Sequence, residues 1–166
     1  MDSPSDGHRY EVIDGALVVS PAPRWPHQRA VFRLARLLDQ AAPDGVEVFT
    51  APLAWPIREG EVPEPDVMVI ERSSLGPEQV EGTPLLVIEV LSPTGRRRDL
   101  LTKRYLYASA GCPSYWIVDP DEPSLTVLGL EGHRYRQLAQ VVGNEAFEAT
   151  DPFAVIVRPA DLTVDS

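Results

Sequence analysis

Two stretches of the 166-residue chain constrain its fold more than any other: PDVMVIE, residues 65–71, and PLLVIEVLS, residues 84–92. Each is a short, nearly continuous run of Val, Ile, Leu and Met, the pattern of a central strand covered on both faces rather than of a half-exposed one. A chain with two such strands has to provide layers for both sides of a sheet. The second run also holds Glu89, which shares a face with Val87 and Leu91 while Ile88 and Val90 face the other way. A carboxylate there needs a cation, a proton or an arginine, because burying its charge unpaired is costly.

The remaining segments supply the layers. Residues 10–20, YEVIDGALVVS, place two apolar runs about Asp14-Gly15, a pair suited to a type I′ hairpin turn. Residues 26–42 carry Ala30, Leu34, Leu37, Leu38 and Ala41 at helical spacing, with Arg29, Arg33 and Arg36 interleaved, and stop before Pro43-Asp44-Gly45. Residues 46–57 read as a strand. Residues 97–110 fit a second helix, ending at Gly111 with Pro113 beyond. Then come a buried strand over 114–120, a hairpin about Glu131-Gly132 and a last short strand over 153–159. This order predicts one α/β (α+β) domain over residues 1–166, a mixed sheet flanked by helices with hairpins near both ends.

Composition narrows the function. No apolar run approaches the roughly 18 residues of a membrane span. The first fifteen residues are polar and acidic, unlike a signal peptide, so the expected location is cytoplasmic. Cys112, the sole cysteine, excludes an internal disulfide and a thiolate metal cluster, and reads as a small filler at a turn. The formal net charge of -10 opposes a polyanionic partner at long range. Nucleic-acid contact therefore needs local basic groups, for which Arg96, Arg97 and Arg98, with Arg29, Arg33 and Arg36, are the candidates.

Lys103 is the only lysine among 15 Lys plus Arg. Asp99, Lys103 and Tyr107 lie at i, i+4 and i+8, along nearly one line of the second helix. Arginine serves a surface pair as well as lysine, but a compact ammonium of adjustable pKa is better suited to orienting a nucleophilic water. If the two central strands pair, Asp66 and Glu89 converge at one end of the sheet. Two carboxylates with a backbone carbonyl suit Mg²⁺ or Mn²⁺ rather than zinc. A surface ion pair and a buried structural ion network fit the same residues.

PEPDVMVI, followed by PLLVIEVLSPTGRRRDLLTKRYLYASAGCPSYWIVDP, resembles the signature of the bacterial Uma restriction endonuclease family. YEVIDGALVVSPAP, the helix beginning WPHQR and the APL turn at 51–53 extend the resemblance over most of the chain. It implies a PD-(D/E)XK nuclease-like core, a mixed four-stranded sheet flanked by helices. In that core an Asp, an acid on the next strand and a backbone carbonyl hold Mg (or Mn), and a lysine acts on the attacking water. These transfer to Asp66, Glu89 and the carbonyl of Val90. Leu91 stands where that superfamily has its lysine, and the family's D-x-x-x-K pattern matches Asp99 and Lys103 on the following helix. His27 matches a further recurrent position. The implied function is Mg-dependent hydrolysis of DNA phosphodiester bonds by Asp66, Glu89 and Lys103, with Asp99, His27 and Tyr107 in support. Dimerisation follows by analogy with enzymes that cut two strands. The displaced lysine and the acidic net charge sustain a second reading, a non-catalytic binding or regulatory module on the same fold.

Overall fold

The computed structural model describes residues 8–77, 79–92 and 98–163, with the backbone alone at 98 and 99. Strands β1 (Arg9–Ile13) and β2 (Ala16–Ser20) form an antiparallel hairpin. Its turn residues Asp14 and Gly15 have φ of 53° and 72°. Two successive positive φ angles are what a type I′ turn requires. Helix α1 (Trp25–Ala41) follows, with Pro26 in its first turn, and buries His27, Ala30, Val31, Leu34 and Leu38.

The central sheet runs in the order β3–β4–β5–β6–β7–β8. Its strands are β3 (Val46–Thr50), β4 (Val67–Glu71), β5 (Leu86–Val90), β6 (Ser114–Asp119), β7 (Ser124–Glu131) and β8 (Arg134–Val142). Only β5 and β6 are parallel, joined by helix α2 (Arg98–Ser109); every other neighbouring pair is antiparallel. Strands β9 (Phe147–Ala149) and β10 (Val155–Val157) make a separate two-stranded sheet, and the short helix α3 (Pro159–Leu162) closes the described chain.

The mixed sheet flanked by helices is the expected architecture, and all five residues of β5 are buried, as a central strand demands. Val67, Val69, Leu86, Ile88 and Val90 face α1, with Phe153, Val155 and Leu162 completing that layer. Met68, Ile70 and Val87 face the opposite way, toward Trp55 and the α2 residues Leu106, Tyr107 and Ala108.

Four expectations need correction. The strand over 46–57 ends at Thr50, since Pro52 and Pro56 have no N–H to donate to a ladder. The turn between β7 and β8 is Gly132-His133, one residue later than anticipated, with Glu131 opposite Arg134. The strand near 153–159 is shorter and pairs with β9 rather than with the central sheet. The four-stranded core has become six strands, because the β7–β8 hairpin widens it. Among the described residues, no helix is long and apolar enough to cross a membrane.

Candidate active site

The antiparallel pairing of β4 with β5 sets Val67 opposite Ile88 and Met68 opposite Val87. One further step along this register places Asp66 opposite Glu89, on the face shared with Met68 and Val87. Both are buried, Asp66 at 2% exposure and Glu89 at 6%. The backbone N–H of Val90 donates to Asp66 Oδ2 at 2.8 Å. A strand residue directs its N–H and C=O to the same lateral side, so the Val90 carbonyl is turned toward Asp66 as well. The N–H of Leu91 points the other way, donating to the Val118 carbonyl at 2.7 Å.

Helix α2 brings Lys103 and Tyr107 onto the same acid. Lys103 Nζ donates to Glu89 Oε1 at 3.0 Å, and the Tyr107 hydroxyl donates to that oxygen at 2.6 Å. The line of Lys103 and Tyr107 therefore faces the sheet, and both side chains are buried, which removes the surface-pair reading. Arg96 and Arg97 lie outside the described residues, as do the side chains of Arg98 and Asp99.

His27, at the start of α1, places Nε2 3.2 Å from Asp66 Oδ2. Of the α1 arginines proposed to gather near the cleft, Arg33 is engaged elsewhere. Its guanidinium donates to the Asp161 carbonyl at 2.9 Å and to the Thr163 carbonyl, fastening α1 to the α3 end of the chain. Arg29 and Arg36 are exposed.

Two residues of β1 belong to this constellation and escaped the reading of the sequence. Arg9 Nη1 donates to Asp66 Oδ1 at 2.5 Å, and Nη2 donates to the Glu64 carbonyl. Glu11 Oε1 lies 3.0 Å from Lys103 Nζ and accepts the Glu64 N–H at 2.9 Å. Lys103 is thus clamped between two carboxylates. The available signal was the i, i+2 spacing of Arg9 and Glu11, which puts an acid and a base on one face of a strand.

The shared environment separates the two acids. Burial by itself would raise Asp66, but the His27 hydrogen bond, the Arg9 guanidinium and the Val90 N–H hold its carboxyl down at about 2. Burial pushes Glu89 up to about 7; Lys103 and the Tyr107 hydroxyl pull the other way, and the Asp66 and Glu11 carboxylates reinforce the rise. Lys103 stays charged despite its burial, held above its ordinary value by Glu89, Glu11 and Asp66. Cys112 is buried, and burial raises its thiol to about 12, which suits a filler and not a nucleophile.

These groups line a cavity of about 750 Å³ whose wall includes Arg9, Glu11, His27, Asp66, Glu89 and Lys103. Three buried acids of this wall, Glu11, Asp66 and Glu89, face two formal cations, Arg9 and Lys103. All the candidate donors are oxygens, so the site suits a hard divalent ion. Among the described residues, no group of three or more His, Cys, Asp or Glu side chains is arranged to hold a metal. A hard ion here would be held by the two opposed carboxylates, the Val90 carbonyl and water, consistent with the several waters Mg²⁺ usually keeps.

The fold is similar to the crystal structure of a putative nuclease belonging to DUF820 from Anabaena variabilis ATCC 29413, with a TM-score of 0.72 and 19% identity. The match covers 96% of this chain and 92% of that one. A search of curated proteins finds no match. The family model described as "Uma2: Putative restriction endonuclease" matches residues 1–164, and the chain belongs to that family.

Proposed function

We propose that the protein is a divalent-metal-dependent nuclease that hydrolyses DNA phosphodiester bonds at the cavity between β1 and α2. The observation that carries this reading is the sole lysine, buried and bonded to Glu89, the acid that lies opposite Asp66 in the sheet register. Family membership supports it, and so does the nuclease description of the similar fold. Asp66, Glu89 and the Val90 carbonyl would hold Mg²⁺ or Mn²⁺, which when bound would supply Lewis acidity at the phosphate and lower the pKa of water.

The chain's own residues do the rest. Lys103 is fixed as an ammonium by Glu11 and Glu89, so it orients a water by donating and adds positive charge beside the developing phosphorane. Tyr107 and Lys103 both bond Glu89 Oε1, which fixes the carboxylate's rotation. His27 holds Asp66 through Oδ2. Position 91 is a leucine, and the lysine beside Glu89 comes from α2 rather than from β5.

Cleavage of DNA in Mg²⁺ or Mn²⁺ tests the assignment. Asp66→Ala, Glu89→Gln and Lys103→Met are each expected to lower the rate at least about a hundredfold. Full activity in all three overturns it. The non-catalytic module has one observation in its favour: Arg9 pairs with Asp66 and Lys103 with Glu89, so the chain's own cations compensate both acids. Folded protein that binds DNA or a protein partner but neither binds Mn²⁺ nor cuts would select that reading.

A further inference from the structure

We infer that Arg9 is a resident cation that a divalent ion displaces from Asp66, so that Arg9 and the metal are alternative occupants of one carboxylate oxygen. The inference rests on the metal-dependent reading above. Its starting point is the division of labour on Asp66. Oδ2 is committed to the Val90 N–H and to His27, both parts of the packed core. Oδ1 is taken by Arg9 Nη1 at 2.5 Å, leaving no room for an ion between them. A metal reaching this carboxylate through Oδ1 therefore moves Arg9 first.

Arg9 is placed to move, and the other basic side chains at the site are not. Its side chain is 19% exposed, whereas those of His27 and Lys103 are each 8% exposed. It stems from β1, in a two-stranded sheet outside the central one. Its second tether is the Glu64 carbonyl, which keeps it within the cavity after it leaves Oδ1. Lys103 is bonded instead to Glu11 and Glu89, and an ion at Asp66 leaves those bonds in place.

Charge favours the exchange. At the same distance a dication attracts the Asp66 carboxylate more strongly than the single charge of the guanidinium that now holds it. The same reasoning explains why the free protein needs Arg9: Asp66 without a cation would be a buried, undercompensated carboxylate. Released from Oδ1, the guanidinium lines the cavity wall as a planar donor fork suited to a phosphate oxygen.

Two measurements on the full chain test the exchange. Calorimetric titration with Mn²⁺ should give at least about a fivefold lower Kd for Arg9→Gln than for the wild type, since the competitor is gone. Arg9→Lys, which keeps the charge but loses the fork, should fall between them. In the wild type, the ¹⁵N signals of the Arg9 guanidinium should be separate and slowly exchanging without metal, and should merge when Mg²⁺ is added. If Mg²⁺ binds and those signals do not change, or if Arg9→Gln binds Mn²⁺ no more tightly than wild type, the exchange is wrong and the metal site stands. If neither ion binds the wild type, the metal-dependent reading fails and the exchange fails with it.

Discussion

Asp66 and Glu89 face each other across one step of the sheet, yet they answer pH in opposite directions. Asp66 is held at about 2, below its ordinary 3.8, so its contribution to stability is complete above about pH 4 and is lost as pH falls toward 2. Glu89 is raised from 4.5 to about 7, so the folded protein keeps a proton that the unfolded chain releases, and stability falls as pH rises through that interval. Thermal melts of the metal-free protein should show both limbs. Asp66→Asn is expected to flatten the acid limb, which is on the order of 2 kcal/mol deep. Glu89→Gln should remove the decline between about pH 4.5 and 7. Unaltered limbs in these variants would mean that other groups dominate the titration. That Glu89 needed a partner was legible from its apolar neighbours alone. That Glu11 shares the partner was not, because Glu11 lies 92 positions before Lys103 in the chain and meets it only through folding.

At the scale of elements, the β1–β2 hairpin turns from an appendage into a wall of the site. Val12 and Val62 exchange backbone hydrogen bonds, and the Gly15 N–H donates to the Gly60 carbonyl at 3.0 Å. These contacts dock β1 beside residues 58–64 and so deliver Arg9 to Asp66 and Glu11 to Lys103. Gly15 has φ of 72° with open space where a Cβ would stand, so Gly15→Ala meets no clash but strains the backbone. It is expected to lower unfolding stability by about 1 kcal/mol in urea titrations. An unchanged midpoint would show that the turn tolerates an L residue there. Helix α2 explains a different limit of periodicity. Leu101 and Tyr105 are 70% and 72% exposed while Lys103 is buried, so its polar line faces inward and an apolar one faces water. A reading that assigns every apolar residue to the core misplaces Leu101 and Tyr105, although Leu106 and Ala108 of the same helix are buried as it expects.

For the whole molecule, the balance of 15 basic and 25 acidic residues means that DNA can be held only where positive charge is concentrated. Arg9 and Lys103 are already matched by carboxylates in the cavity, so the exposed Arg24, Arg29 and Arg36 at and along α1 are the groups left to contact phosphates. DNA affinity should therefore fall with salt, with a log–log slope corresponding to about two to four phosphate contacts. A flat response between 50 and 200 mM salt would exclude backbone recognition. The sequence by itself determined the layers, the central strands, the first hairpin turn and the need to compensate Glu89, because these follow from local spacing, side-chain volume and the cost of burying charge. Tertiary structure alone decided which groups do the compensating. Arg9 reaches Asp66 across 57 positions, and Arg33 is drawn to α3 across 128. Such pairings depend on how loops and hairpins dock, and no periodicity within an element encodes that.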